Sequence, residues 1–383
     1  MSLQDKASII WPKGAPSKAG FVAAWNPQAQ ALVNFPIVRA TEKTYLASDG
    51  LLKTAAANVL PRDFTNGGCG DWAIEPQRSN YIQFGNLLTG WTAQAGTSIT
   101  TGQADMMGGT NAVRLQSNGT AAIFRDIDDL GFPDNVEGTI SCWVKATSST
   151  SEPFRFVADG TQNSPNLTAT NEWQKFSFTF TNGVGPNNSG FIYDTSGNPF
   201  DIIIFLPQME VGAYPTSSII NFTGSAVTRN ADVPALTGAS ALLGDSAGGV
   251  FIDFLKFDNL SGGLSLSDGT NNTRLVLDIA FTAGLFVAKS GATQVNGPFS
   301  GTITKNVFNK IAFRYAINDF NLFLNGSSIA VDTSGDTFDE GSLNTVKLAR
   351  NPTAAVDFYG RIRQFIVFNQ APNNTQLAAI TTP

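Results

Sequence analysis

The sequence predicts an all-β protein: two tandem β-sandwiches preceded by an extended N-terminal arm. Three observations predict it. Short runs of alternating apolar and polar residues, cut by turn residues, recur through residues 81–206 and again through 249–369, and such spacing is the pattern of packed antiparallel sheets. Charged residues make up only 14% of the chain while Gly numbers 37 and Phe 29, the usage of a turn-rich β protein. At 383 residues the chain exceeds one ordinary domain and is long enough for each half to bury its own core.

Residues 1–80 are predicted to be the arm. Pro12, Pro16, Pro27, Pro36 and Pro61 interrupt short apolar clusters, too short to make a core of their own. Trp11, Phe21, Trp25 and Phe35 are the candidate anchoring residues. Each large ring left in water costs about 1.5 to 3 kcal/mol, so they should dock on another protein or on sister copies; the alternative is packing on the chain's own first sandwich.

Residues 81–215 hold strands predicted at 111–115, 121–127, 138–146, 154–158, 174–181 and 200–206. In Gln174–Thr181, period two places Phe176, Phe178 and Phe180 on one face, read as core rather than as a sugar platform. Pro207 cannot donate to a ladder and is expected to end the last strand. Residues 216–234 read as an ordered strap, with Gly224 opposing a long helix and Ile219, Ile220 and Phe222 supplying apolar anchors.

Residues 235–383 form the second sandwich. Gly249–Phe257 is a long alternating strand, followed by 264–268 and 274–279 across a turn at Gly269 and Asn271-Asn272. Strands at 308–315 and 320–324 precede Asn325-Gly326, a turn dipeptide that accepts positive φ. Strand 358–369 and a short helix at 375–380 close the chain.

Two blocks carry a resemblance. One reads Arg39-Ala40-Thr41, Tyr45 to Leu52, Leu60-Pro61-Arg62-Asp63-Phe64, then Ile74-Glu75-Pro76-Gln77-Arg78-Ser79-Asn80, where Ser79 departs from a usual Thr. The other reads Gln208 to Ser217 and then Gly224 to Asp232. Together they resemble tailed-phage virion structural proteins in which a carbohydrate-binding-module-like jelly roll precedes a concanavalin/laminin-G-like domain. The resemblance implies a non-enzymatic fibre, spike or capsid decoration, built as a homo-oligomer, typically a trimer. It implies other virion proteins as partners and a host surface glycan as a candidate ligand. The expected location is the virion, after synthesis in the host cytoplasm, since residues 1–12 lack the pattern of a secretory signal. A secreted bacterial adhesin or glycan-binding module, and a glycan-depolymerising tailspike, are the alternatives.

The residues narrow the chemistry. The chain has no histidine, which removes Ser-His and Cys-His nucleophiles and the commonest zinc ligand. A glycosidase needs only two carboxylates; Asp126, Asp128 and Asp129 cluster in one loop, and Asp336, Asp339 and Glu340 in another, both read as solvated turns. Asp332 to Asp336 is too short for an EF-hand loop and lacks its terminal Glu, so no metal site is assigned, and no nucleotide loop or other cofactor motif is present. A net charge of -6 disfavours nucleic acid as a partner, and no apolar run is long enough for membrane insertion. Cys69 and Cys142 are expected to be free thiols. Trp91, Tyr193, Tyr214 and Tyr359 lie near turns and are candidate sugar platforms, none of which the sequence singles out.

Overall fold

The computed structural model describes residues 2–11, 17–18, 21–26, 31–119, 122–124, 128–147, 151–158, 162–184, 190–193, 197–258, 262–280, 282–297, 300–353 and 358–383. The chain is all-β; among these residues the α-helices are Leu3–Lys6 and Asn374–Thr381. It divides into two compact units. One comprises Glu42–Thr54 and Gln77–Asn230, the other Met1–Thr41, Ala55–Pro76 and Ala231–Pro383. These bounds differ from the expected arm, jelly roll, strap and sandwich at 1–80, 81–215, 216–234 and 235–383.

In the first unit a five-stranded antiparallel sheet runs in the order Thr97–Gln103, Ala112–Ser117, Phe200–Val211, Glu137–Ala146, Gln174–Thr181. It packs on a second sheet that includes Glu152–Ala158, Gly190–Tyr193 and Ala122–Phe124. Alternation decides the faces: Ile140, Cys142 and Val144 enter the shared core with Phe154, Phe156 and Phe191, while Trp143 points the other way. Phe180 is buried there, and Phe176 and Phe178 pack against it half-buried. The opposite face of the five-stranded sheet is covered too. Trp143 and Phe205 join Leu52 and Met106 in an apolar cluster, against which Ile220 and Phe222 of the strap pack.

Pro207 does not end its strand, which runs from Phe200 to Val211. Trp143 pairs with Phe205 and Ser141 with Gln208, so Leu206 and Pro207 together oppose Cys142 in a bulge. Leu206 takes a positive φ of 49° there. The missing N–H of proline falls where the ladder is already interrupted.

The second unit has Ala247–Lys256 between Asn309–Ala316 and Gly360–Phe368. Facing it are Gly263–Ser267, Arg274–Ile279, Thr282–Lys289 and Ala292–Asn296, paired in succession. Val250, Ile252, Phe313 and Phe365 meet Leu266, Leu275, Leu277 and Val287 between the layers. The Asn325-Gly326 turn has φ of 48° and 89°, and the closing helix carries a capping box between Asn373 and Gln376.

The expected arm belongs to this unit. Ala7–Trp11 pairs with Gly360–Phe368, setting Trp11 opposite Phe365, and Ala31–Val38 pairs with Val233–Leu236. Phe35 is 0% exposed and meets Phe365 edge to face at 6.2 Å, so its ring is core and not an anchor. Short β segments with one apolar face extend a sheet whose edge would otherwise show unpaired backbone groups. Trp11, Phe21 and Trp25 place their backbones in strands Ala7–Trp11 and Phe21–Asn26; their side chains lie outside the described residues.

Candidate functional site

Strand Arg274–Ile279 alternates Leu275, Leu277 and Ile279 into the core and presents Arg274, Val276 and Asp278 on its other face. In the register, Val276 stands opposite Phe286, and Asp278 opposite Gly284, which contributes no side chain. Phe286 in turn pairs with Asn296 of the next strand. With Arg350 reaching in from the segment after Thr345–Lys347, these residues line a recess of about 290 Å³.

Its polar groups are only partly paired. Arg350 Nη1 donates to Asp278 Oδ2 at 3.0 Å, with the Asp278 side chain 8% exposed and that of Arg350 48% exposed. Oδ1 of Asp278 is buried and, among the described residues, has no hydrogen-bond partner. The guanidinium of Arg274 lies 5.1 Å from the centre of the Phe286 ring and donates from Nη1 to Asn271 Oδ1 at 2.7 Å, while its buried Nε is unpaired among the described residues. Burial, and after it the neighbouring charge of Arg350, pulls Arg274 below the ordinary guanidinium range. A carboxylate acceptor, two guanidinium forks and a partly buried ring around one recess can hold a hydroxylated ligand. Among the described residues the recess has a single carboxylate and not the paired acids of glycoside hydrolysis.

The sequence-predicted candidates fall elsewhere. Asp336 and Asp339 both bridge to Lys289, at 2.8 and 2.9 Å, and Glu340 is exposed beside them. Asp129 is exposed, whereas Asp126 and the side chain of Asp128 lie outside the described residues. Asp332 Oδ1 accepts from the backbone N–H and hydroxyl of Ser334, a turn rather than a calcium loop. No group of three or more His, Cys, Asp or Glu side chains suited to a metal occurs among the described residues. Trp91 is buried against Phe191 and Tyr214 is buried under Arg78, so neither offers an open ring; Tyr193 and Tyr359 are half-buried. Burial pushes the Tyr193 phenol up.

The blocks that carry the resemblance are structural locks. Within the second unit, Arg39 donates to Asp232 at 2.7 Å and to the carbonyls of Thr41, Ala56 and Val59, and Asp232 Oδ2 accepts from the Glu75 N–H. Arg361 clamps Asp63 and Asp71 at 3.0 and 2.6 Å around the Gly67-Gly68-Cys69-Gly70 turn. Within the first unit, Asn80 Nδ2 donates to the Pro207 and Ile219 carbonyls, and its Oδ1 accepts from Ile82 and Met209 N–H. Glu210 is buried, accepts from Thr216 and Gln208, and lies 3.7 Å from Arg78.

The recess residues were missed from sequence. The alternation of Arg274 to Asp278 showed a strand with a polar face, but nothing local marks Arg350 as its neighbour.

No protein-family model matches the chain, and no curated protein matches it. Among solved structures it is similar to the CBM40 of a Ruminococcus gnavus IT-sialidase bound to α2,3-sialyllactose, at 19% identity and TM-score 0.34, covering 39% of this chain and 92% of that one. It is also similar to domain 4 of AbnA, a GH43 extracellular arabinanase from Geobacillus stearothermophilus, in complex with arabinotriose, at 12% identity and TM-score 0.35, over 45% and 84% of the two chains. A third likeness, at 16% identity and TM-score 0.32, is to the NanB sialidase of Streptococcus pneumoniae; it covers 39% of this chain and spans only 27% of that enzyme.

Proposed function

We propose that this chain is a non-enzymatic structural protein of a tailed-phage virion whose second sandwich holds a host surface glycan in the Arg274–Asp278–Phe286 recess. The observation that carries glycan binding is the Asp278 carboxylate, buried with one oxygen unpaired among the described residues beside a guanidinium-capped ring. A buried acceptor left without a donor costs stability, and a sugar hydroxyl is a donor of suitable size, with the ring edge packing against the sugar's C–H groups. The virion setting rests on the two sequence blocks, whose residues serve the architecture of both units. Its partners would be other virion proteins and copies of itself, with a trimer as the expected assembly.

A glycan-binding module of a secreted bacterial protein is the second reading, since the same recess would serve it. Location separates the two. Antibody against the purified protein should gold-label intact particles made from the genome that encodes it, and labelling of the producing cell's secreted fraction alone would remove the virion reading. Binding of oligosaccharides by the purified chain, followed by the amide signals of Val276, Phe286 and Asn296 in NMR, tests the recess. A full glycan array without a hit would remove the glycan reading.

A further inference from the structure

The recess has a charge that a neutral sugar does not need. Among the described residues, Arg274 and Arg350 contribute two positive charges and Asp278 one negative, an excess of one positive within a chain of net charge -6. Asp278 spends one oxygen on Arg350 and keeps the other, buried, without a donor among the described residues. Arg274 spends an Nη1 on Asn271 and stacks on Phe286, yet its Nε is buried and unpaired among the described residues. Asn296 adds an amide at the rim.

A plain surface explanation would be a rim ion pair and an arginine shielding a phenylalanine. It accounts for the Arg350–Asp278 pair and for the ring, but not for a buried acceptor and a buried donor, each unpaired among the described residues, on two residues that line one recess. Those two need opposite complements: Asp278 Oδ1 needs a hydroxyl or N–H, and Arg274 needs an acceptor, best an anionic one, because guanidinium forks match carboxylates in two-point geometry. The charge of Arg350 acts against that of Arg274, and an anion beside Arg274 relieves that repulsion.

We infer that the recess selects a saccharide bearing a carboxylate, with the carboxylate on Arg274 and Arg350, a ring hydroxyl on Asp278 Oδ1 and the sugar face against Phe286. This rests on the proposed glycan-binding reading and names its ligand class. Polymers of uronic acids and glycans ending in a sialic-acid-like sugar share the chemistry.

The test titrates the purified full-length chain by calorimetry with trigalacturonic acid, its methyl ester, 3′-sialyllactose and lactose. Each acid is expected to bind at least tenfold more tightly than its neutral counterpart, trigalacturonic acid against its ester or 3′-sialyllactose against lactose, for whichever backbone the recess fits. Arg350→Ala, at a half-exposed side chain, and Arg274→Gln should each weaken binding of the acid at least tenfold and so abolish that preference. Asp278→Asn should weaken acid and neutral forms alike. Neutral probes binding as tightly as their acids, with no effect of either arginine substitution, would overturn the inference and leave glycan binding standing. Failure of all four probes would overturn it as well, and the glycan array then decides whether the parent reading falls with it. Thermal melts of each variant separate lost binding from lost folding.

Discussion

Arg39 and Asp232 lie 193 residues apart in the chain and form an ion pair of 2.7 Å with neither side chain exposed. The guanidinium also reaches three backbone carbonyls, so four partners surround one buried cation. Removing one member of such a pair strands the other charge in the interior. Asp232→Ala should therefore cost about 3 to 5 kcal/mol, read as a lower urea midpoint of the purified chain. Lys53→Ala breaks the pair with Asp49, equally short at 2.6 Å but exposed on both sides, and should leave the midpoint unchanged. Equal losses from the two substitutions would refute the claim that burial, not distance, sets the contribution.

Stability should fall at acid pH through Asp63. Burial alone would raise its carboxyl, but the Arg361 charge and hydrogen bonds from Thr65 and Arg361 outweigh that and hold it below its ordinary range. A native value below the unfolded one means the stabilisation is complete above the unfolded pKa of about 3.9 and is lost as pH falls through the lowered native value. The urea midpoint should hold steady from pH 7.5 to 5.5, because the chain has no histidine, and decline below about pH 4. Asp63→Asn should start lower and decline less steeply. A midpoint that drops between pH 7.5 and 5.5 would contradict this.

The two thiols should react differently. Cys69 is exposed on its glycine-rich turn, whereas Cys142 is buried in strand Glu137–Ala146, where burial pushes its thiol up and out of the reactive thiolate form. Ellman's reagent should detect one thiol in the native chain and two in urea. Cys69→Ser should abolish the native signal and Cys142→Ser should leave it intact. Rapid reaction of both thiols before unfolding would show that the first sandwich opens on the assay timescale.

Much of the fold was legible because strand alternation is a local property. Gln174–Thr181 and Arg274–Ile279 are found where the sequence places them, and the Asn325-Gly326 turn takes its positive φ. Phe35 shows where local reading stops. Its apolar neighbours promised a docking surface, but whether that surface belongs to another protein or to strand Gly360–Phe368 depends on a partner more than 300 positions away. Pro207 fails for a similar reason, since a proline ends a strand unless the facing strand offers a bulge to receive it.

By itself the sequence determined the class of the protein. Alternation, turn residues, scarce charge and the absence of histidine call for packed sheets without nucleophilic triad chemistry, because these follow from which side chains neighbour each other along the chain. Only the tertiary structure decided that the N-terminal segment completes the second sandwich and that the blocks around Arg39, Asn80 and Asp232 are buried locks. It alone brought Arg350 to Asp278 and Phe286. Strand pairing joins residues by register and layer rather than by order, so a recess assembled from three strands and a loop has no signature in any one stretch.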